Sequence, residues 1–423
     1  MIMRLSEIND NAFHDVFKRR TSIESVMDAV KRIADDVRQN GDAAVKKYTK
    51  QFDGVDLDTI EVTEDELYNA QELIDYETIG HLETAIDNIT LYHSLQLPQS
   101  DMWINEVSPG IRLGQKYTPL STAGAYVPGG MGSYPSSALM LVIPAKVAGV
   151  REVIACTPAR KDGTVHPLTL TALDLVECDR IFKIGGVQAI SAMAYGTESV
   201  PEVQKIVGPG NVYVTAAKMY VRGVAEIDMP AGPSEIVVIA DEFAKPSFIA
   251  ADMVAQAEHD VNAMSILFTP SQKLAEEVEK EIKLQTQTAL RKDIIEKASM
   301  AIYVTESIDE AIEASNYIAP EHVEIMVRDQ LYVLNRIKNA GTIYVGEYAP
   351  VAAGDYASGA NHVLPTGGYA KVFSGMNTMQ FLKTSSVQVI DRDGLRSIKD
   401  TITALANIEG FEAHAKSVIR RFE

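Results

Sequence analysis

Apolar residues recur at helical spacing through the first part of the chain. The apolar face that extends over residues 23–37 predicts a helix that Ser22 caps and that Asn40 and Gly41 end. A second helix is predicted to continue from there to Phe52. The chain therefore opens with a helical part rather than with a sheet.

Further helices and a terminal arm complete this helical part. Thr63 and Glu66 have the spacing of a capping box at the start of a helix. The apolar residues of the segment 79–89 repeat at helical spacing. Residues 1–21 combine two phenylalanines with mixed charge and are predicted to form a short helical arm that docks on another surface. These first hundred residues show no evident catalytic chemistry.

The pattern changes after Ile111, where short apolar runs alternate with helical segments. Such alternation predicts parallel sheets that are covered by helices. The predicted strands are more than one sheet of ordinary size would contain, so two α/β units are predicted. From residue 378 the pattern becomes helical again. The predicted strands are VIAC (153–156), IFKI (181–184), KIVG (205–208) and EIVVIA (235–240), followed by helices over 166–177, 187–195, 211–221 and from 246, with further strands at 264–268, 301–304, 322–327 and 342–345.

The predicted fold class is α/β, with two Rossmann-like parallel-sheet domains. Residues 22–126 and 236–377 are predicted to form a first, discontinuous domain, and residues 127–235 a second one. The arm over residues 1–21 and the segment over residues 378–423 are predicted to be small helical additions.

Composition and charge narrow the class of protein. The chain has 423 residues, of which 46% are hydrophobic and 23% charged, which is ordinary globular composition. A formal net charge of −19 without a basic cluster argues against a nucleic-acid partner. No apolar signal core opens the chain and no apolar run reaches the roughly 18 residues that span a bilayer, so a soluble cytoplasmic protein is predicted. Cys156 and Cys178 match no metal or redox spacing and are predicted to be core residues.

The stretch AQAEHD (255–260) closes the helix that begins near Pro246. Gln256 and His259 are three residues apart and would share one face of that helix. An amide oxygen and an imidazole nitrogen on one face can be two ligands of zinc. On these six residues alone, an exposed polar helix face is the favoured interpretation.

Three strand–glycine–helix junctions point to an anionic ligand. Gly129, Gly130 and Gly132 form the first, and IGGVQ (184–188) and VGPGN (207–211) form the other two. None contains a complete G-x-G-x-x-G, and tight α/β turns need glycine in any case. Three such junctions at the carboxyl ends of parallel strands nevertheless favour nucleotide binding.

Glu321 and His322 lie at the start of a predicted strand. A carboxylate beside an imidazole suits acid–base chemistry near neutral pH. Adjacent strand residues point to opposite faces, so a turn or a bulge must precede the strand if both side chains serve one site. The alternative is a solvated strand end.

Two further segments carry isolated polar candidates. The polar, glycine-rich loop predicted over residues 354–368 contains Asp355 and His362, which a scaffold could present to a ligand, although a structural loop is the alternative. Near the end of the chain, Glu409 and His414 have no chemical meaning by themselves.

A resemblance connects these scattered candidates. In order along nearly the whole chain, the sequence contains AYVPGG, YPSSALM, IPAKVAGV, IGGVQAI, VQKIVGPGN, YVTAAK, AGPSE, QAEH, APEH, YASG and NHVLPTGG. Together these segments resemble the histidinol dehydrogenases. The resemblance implies oxidation of L-histidinol to L-histidine, through an aldehyde, in two NAD-dependent steps with a bound zinc.

The resemblance also implies a set of site residues. It implies one zinc per subunit, held by Gln256, His259, Asp355 and His414. His322 would take the proton of the alcohol, and Glu321 would activate the water that adds to the aldehyde. The zinc ligands and His322 would contact the substrate, and so would Ser234, His362 and Glu409. NAD would be contacted by Tyr126, Gln188 and Asn211.

Finally, the resemblance implies a homodimer whose terminal segments are exchanged, so that His414 completes the site of the partner subunit. It also implies that the dinucleotide fingerprint is incomplete. The sequence departs from the commoner family pattern at HDVNA (259–263), where HxPDA is usual, and at Pro230. Two alternatives are a related zinc- and NAD-dependent dehydrogenase of another polar alcohol, and a binding protein that kept the fold without the chemistry.

Overall fold

Strands and helices alternate through most of the chain. A computed structural model describes residues 2–7, 23–129 and 132–423. Ser22, Gly130 and most of the predicted N-terminal arm lie outside these residues. In chain order the strands are β1 (Ile2–Arg4), β2 (Met102–Ser108), β3 (Ile111–Pro119), β4 (Thr122–Tyr126), β5 (Glu152–Cys156), β6 (Arg180–Phe182), β7 (Lys205–Val207), β8 (Glu226–Ile227), β9 (Glu235–Ala240), β10 (Met264–Thr269), β11 (Ser299–Val304), β12 (His322–Met326), β13 (Thr342–Val345) and β14 (Leu382–Ile390).

Most helices follow directly on strands. In chain order they are α1 (Ile23–Phe52), α2 (Glu64–Gln71), α3 (Tyr76–Ser94), α4 (Pro135–Val147), α5 (Pro167–Leu175), α6 (Gly186–Tyr195), α7 (Val212–Val221), α8 (Pro246–Ala257), α9 (Gln272–Thr288), α10 (Lys292–Ile295), α11 (Ile308–Ile318), α12 (Gln330–Leu334), α13 (Val351–Tyr356), α14 (Arg392–Ile408) and α15 (Glu412–Ile419). Short 3₁₀ turns occur at Leu5–Glu7, Tyr369–Lys371 and Thr378–Phe381.

One parallel sheet has the strand order β1-β11-β10-β9-β12-β13. Its central strands β9 and β10 are buried along their whole length, as expected for a sheet with both faces covered. The sequence predicts a helical arm over residues 1–21, but Ile2–Arg4 instead form the edge strand β1 beside β11. An isolated three-residue strand has no periodic signature, so only its pairing identifies it.

A second parallel sheet has the order β6-β5-β4-β7-β8. Helix α1 packs on α6 and α7 beside it, and residues such as Val30, Val37 and Val45 share a core with Phe182. Strand β4, which ends at Tyr126, belongs to this sheet. The predicted first domain includes β4, whereas this sheet pairs β4 with β5 and β7, which come later in the chain. The domain limits themselves stay a prediction.

A third, antiparallel sheet has the order β14-β3-β2. The segment after residue 378, predicted to be helical, therefore begins with the strand β14 before α14 and α15 follow. Its sequence mixes exposed polar and apolar residues, and its conformation depends on pairing with β3, which is distant in sequence.

The described chain divides into two compact units by the density of its internal contacts. The first unit comprises Met1–Gln96 and Leu120–Phe381 and contains both parallel sheets. The second comprises Leu97–Pro119 and Leu382–Glu423 and contains the antiparallel sheet with α14 and α15.

Several local predictions are confirmed. The predicted helix break is a kink at Gly41, whose φ of 52° lies in the left-handed region inside α1. Thr63 and Glu66 form a complete capping box at the start of α2. Both cysteines are free, Cys156 is buried and Cys178 partly so. Among the described residues, no helix is both long and apolar enough to cross a membrane.

Candidate functional site

Glu321 and His322 lie where α11 gives way to β12. Helix α11 is followed by Ala319, whose φ of 52° is a left-handed conformation that is uncommon for a residue other than glycine. This turn leaves Glu321 ahead of the strand, with its Oε2 only 3.6 Å from Nδ1 of His322. The turn that the sequence required is present, and both side chains face one region.

The backbone of Glu235, at the start of β9, orients both side chains. Its N–H donates to Oε2 of Glu321 at 2.9 Å, and its carbonyl accepts from Nδ1 of His322 at 3.0 Å. Because Nδ1 carries the proton, Nε2 of His322 holds the lone pair, and it meets no hydrogen-bond partner among the described residues. Ser234, a predicted substrate contact, immediately precedes Glu235.

Burial governs the ionisation of this pair. Glu321 is 7% exposed and His322 is 3% exposed. Burial raises the pKa of Glu321 well above its usual range, against the hydrogen bond from Glu235. Burial also lowers the pKa of His322 to about 3. His322 is therefore neutral near pH 7, which is the form that accepts a proton.

Asp355 and His362 lie next to this pair. Oδ1 of Asp355 is 4.0 Å from Nε2 of His322, and burial raises the pKa of Asp355 to about 6. The carbonyl of Asp355 accepts from Nδ1 of His362 at 2.9 Å, and Nε2 of His362 contacts Oγ of Ser137 at 3.2 Å. Glu321, His322, Asp355 and His362 are called the acid–imidazole site below.

The segment that carries Asp355 differs from its prediction as a loop. Asp355 lies in the last turn of α13, and only the residues after Tyr356 are irregular. Gly354 lets this helix approach β13, because a Cβ at that position would clash with the hydroxyl of Tyr344. The ring of Tyr344 in turn lies 5.9 Å from that of His322. The glycine that suggested a loop is needed for helix packing instead.

Gln256 and His259 do not share a helix face as predicted, because α8 ends at Ala257. His259 lies in the next turn, where its N–H donates to the carbonyl of Gln256 at 3.3 Å. Gln256 is 2% exposed, and its Nε2 has no partner in the described part of the chain. Burial lowers the pKa of both His322 and His362 most, and the charge of His259 lowers both further, so His259 lies within the field of these two imidazoles.

Among the described residues, no three or more histidine, cysteine or acidic side chains lie close enough together to hold a metal ion. The predicted zinc ligands therefore do not form such a cluster within the described chain. Gln256, His259 and Asp355 belong to the first unit. His414 is an exposed residue of α15 in the second unit, and Glu409 is the exposed residue that follows α14. The ligand set remains a prediction.

A cavity of about 930 Å³ lies at the three glycine junctions. Gly129, Gly186 and Gly210 line it, one from each junction, and it is called the glycine cavity below. Its volume is in the range of small-molecule and cofactor sites. The predicted NAD contacts all line it: Tyr126, Gln188 and Asn211.

Each of these three residues has a defined local role. The hydroxyl of Tyr126 accepts from the N–H of Gly186 at 3.1 Å, and burial raises the pKa of Tyr126 to about 12. Asn211 caps α7 by accepting from the N–H groups of Tyr213 and Val214. Gln188 is 1% exposed, and its Oε1 has no partner among the residues described.

Helix α1 contributes residues to the glycine cavity that the sequence analysis missed. Arg32 brings positive charge to it, Lys47 also lines it but pairs with Asp36 at 2.7 Å, and Asp53 follows the helix. Burial raises the pKa of Asp53 to about 6, and its Oδ2 has no partner in the described chain. No motif marks these residues, since charged positions on an amphipathic helix are common. Only the packing of α1 on α6 and α7 distinguishes them.

Comparison with known proteins gives consistent results. A family model described as histidinol dehydrogenase matches residues 17–422. The histidinol dehydrogenase of Methanosarcina mazei is 53% identical, over 100% of this chain and 98% of the relative. That of Archaeoglobus fulgidus is 47% identical, over 96% of this chain and 98% of the relative. The crystal structure of histidinol dehydrogenase from Elizabethkingia anophelis matches with a TM-score of 0.95 at 36% identity, covering 100% of this chain and 97% of that one.

Proposed function

The chain belongs to the histidinol dehydrogenase family of histidine biosynthesis, and we propose that it oxidises L-histidinol to L-histidine, through L-histidinal, in two NAD-dependent steps. One observation carries the proposal. His322 is held as a neutral imidazole with an unpaired Nε2 among the described residues, and the carboxyl of Glu321 lies beside it in a buried site. An alcohol oxidation followed by hydration of an aldehyde needs these two groups.

In the first step, His322 takes the hydroxyl proton on Nε2 while a hydride leaves the carbinol carbon for NAD. In the second step, Glu321 takes a proton from the water that adds to the aldehyde, and a hydride then leaves the hydrated carbon for a second NAD. The raised pKa of Glu321 makes its carboxylate, once ionised, a stronger base toward water. The hydrogen bonds from and to Glu235 keep both groups oriented throughout.

NAD is proposed to bind in the glycine cavity. The N-terminus of α6 has no side-chain cap, so the backbone N–H groups of its first turn remain for an anion, except that of Gly186, which donates to Tyr126. Arg32 adds positive charge for the pyrophosphate, and Lys47 lines the cavity while paired with Asp36. Tyr126, Gln188 and Asn211 are the proposed cofactor contacts, as the family resemblance implies.

One zinc per subunit is proposed to bind Gln256, His259, Asp355 and His414. The residues fit this metal, because amide oxygen, imidazole and carboxylate are accepted zinc ligands. Further support comes from the burial of Gln256, which is 2% exposed, and from the nearness of Asp355 to His322. When bound, the metal supplies a cationic anchor for substrate nitrogens and no redox chemistry.

The specificity for histidinol is proposed to rest on Ser234, His362 and Glu409 together with the ligand residues. A related dehydrogenase of another polar alcohol is the alternative. NADH formation is measured with L-histidinol and with a panel of polar alcohols, before and after treatment with a chelator. The proposal predicts activity with histidinol alone, loss on chelation and recovery with zinc. Equal activity with several alcohols would favour the alternative.

A homodimer with shared sites is proposed, because His414 and Glu409 are exposed in the second unit and the family resemblance assigns them to the partner's site. His259→Ala and His414→Ala are each expected to be nearly inactive. In a mixed dimer, one site receives both changes and the other receives neither. Random mixing makes about half of the dimers mixed, so roughly a quarter of the wild-type activity should return. Mixed dimers without recovered activity would show that each site is built from one chain.

A further inference from the structure

Two buried carboxyl groups meet beneath the acid–imidazole site. Glu324, on β12, is 1% exposed, and its carboxyl lies beside that of Asp252 on α8, while no donor of the described residues reaches its Oε2. Burial, and then the charge of Asp252, raise the pKa of Glu324 well above its usual range. Two carboxylates in contact away from water do not both ionise, so the pair retains a proton that Glu324 donates to Asp252.

The pair is bridged by a proton rather than balanced by a cation. No lysine or arginine within the described residues forms an ion pair with either acid. The nearby polar group on β13 is Tyr344, which is buried and whose pKa is raised first by burial and also by the charges of Asp355 and Glu321. The bridge is therefore a neutral donor and an anionic acceptor in a largely dry environment.

Glu324 also connects to a third element. Its Oε1 accepts from the N–H of Val351, the first residue of α13, at 3.1 Å. One side chain on β12 thus holds α8 through Asp252 and α13 through Val351. Each of these three elements carries a residue of the proposed site.

On each of the three elements, the group that Glu324 contacts, or Glu324 itself, lies one structural repeat from a residue of the proposed site. Asp252 lies four residues before Gln256, and Val351 lies four residues before Asp355, which is one helical turn in both cases. Glu324 lies two residues after His322 on β12, so both side chains stand on one face of the sheet. Asp252 and Val351 are therefore one helical turn from Gln256 and Asp355, and Glu324 itself is one strand repeat from His322.

We propose that Asp252 and Glu324 are positioning residues, a proton-bridged carboxyl pair that fixes α8 and α13 at the separation at which Gln256 and Asp355 bind one metal ion. This inference rests on the proposed zinc site and adds what holds its ligands in place. Substituting a residue that holds metal ligands in place typically weakens metal binding about 10- to 100-fold.

The test compares Glu324→Gln with Glu324→Leu. A glutamine keeps both contacts, because its carbonyl accepts from Val351 and its amide donates to ionised Asp252. A leucine of similar volume keeps neither, and it leaves the N–H of Val351 without its acceptor. Zinc affinity is measured on the metal-free full-length protein by competition with a chromogenic chelator, without substrate or NAD. We expect Glu324→Gln to bind zinc within about 3-fold of wild type and Glu324→Leu to bind at least about 10-fold more weakly.

Ser265→Ala is the matched control. The hydroxyl of Ser265 on β10 is buried and donates to the carbonyl of Met253, the residue after Asp252, at 2.8 Å. Its removal loosens the same helix without touching the carboxyl pair. Melting temperatures of the metal-free variants and the absorption spectrum of bound Co²⁺ are recorded in parallel. We expect Ser265→Ala to lose stability while its metal affinity and Co²⁺ spectrum stay those of wild type.

The outcomes separate this inference from the function on which it rests. A wild-type protein that binds no zinc overturns both. A wild-type protein that binds zinc, with Glu324→Leu binding equally well or Glu324→Gln failing as badly as Glu324→Leu, overturns the positioning role alone. Asp252→Ala is a second truncation of the bridge, and it keeps the test decisive if Glu324→Leu does not fold. Unchanged zinc affinity in Asp252→Ala would likewise overturn the positioning role.

Discussion

The glycine cavity and the acid–imidazole site belong to the same unit but are made of different groups. The cavity is lined mainly by backbone at three glycine junctions and by neutral polar side chains such as Gln188 and Asn211, and its charged residues come from α1 and from Asp53 just after it. The acid–imidazole site consists of ionisable side chains whose pKa values burial has displaced. The difference matches the roles proposed for them, which are ligand binding by preformed shape and backbone donors in the cavity and proton transfer in the acid–imidazole site.

Helix α4 connects the two regions. It begins just after the first glycine junction, and Ser137 in its first turn contacts Nε2 of His362. One turn later, the carbonyl of Met140 accepts from Nδ2 of Asn361 at 2.7 Å. A ligand bound at the first junction would therefore be one helix away from the proposed proton-transfer groups. If the two regions have separate tasks, substitutions should change separate kinetic constants.

The largest effect is expected for His322→Asn. The amide keeps a donor for the carbonyl of Glu235 but has no basic nitrogen, so kcat for histidinol should fall about 1,000-fold. The dissociation constant for NAD, measured by calorimetry, should not change. A comparable loss of NAD binding would show that the two regions are not separate.

Glu321→Gln should impair the second oxidation more than the first. An amide still accepts from the N–H of Glu235 but cannot take a proton from water, so histidinal oxidation should fall about 100-fold. Histidinol and histidinal are supplied separately and NADH is followed in a stopped-flow instrument. Equal losses with both substrates would assign Glu321 another role.

A smaller and different effect is expected in the glycine cavity. Asn211→Ser keeps a capping oxygen for α7 but removes the amide, so KM for NAD should rise about 10-fold while kcat changes little. Asn211→Ala is the matched variant that also loses the cap, and it should cost about 1 kcal/mol of stability in addition. A fall in kcat for Asn211→Ser with unchanged KM would contradict a binding role.

The smallest effect concerns Asp53 and depends on pH. Its pKa is raised from 3.8 to about 6 by burial, so its ionisation lowers stability as the pH rises through that range. Asp53→Asn should therefore melt about 1–2 °C higher than wild type at pH 8, on the order of 1 kcal/mol after allowance for solvent screening. At pH 3.5 the two proteins should melt together, because both side chains are then neutral. A higher stability of the wild type at pH 8 would show that the carboxylate is paired.

The sequence predicts much of the α/β architecture, because buried parallel strands such as EIVVIA carry a strong local signal. It fails where conformation depends on distant pairing, as for β1 and β14, and at the end of α8, where His259 lies outside the helix. The three glycine junctions line one cavity, because each junction is a local turn between a strand and the next helix, and nucleotide binding there stays a prediction. By contrast, Arg32 in the cavity and the pairing of Asp252 with Glu324 are brought about by packing between elements that no sequence motif marks.

The central claim is that one protein carries out two successive hydride transfers with a single pair of proton-transfer groups. The most direct measurement is the ratio of NADH to histidine formed from a limiting amount of L-histidinol, with NADH followed by absorbance and the amino acid by chromatography. The account predicts two molecules of NADH for each histidine, with no free histidinal accumulating. One NADH per histidinol consumed, with histidinal as the product, would contradict it.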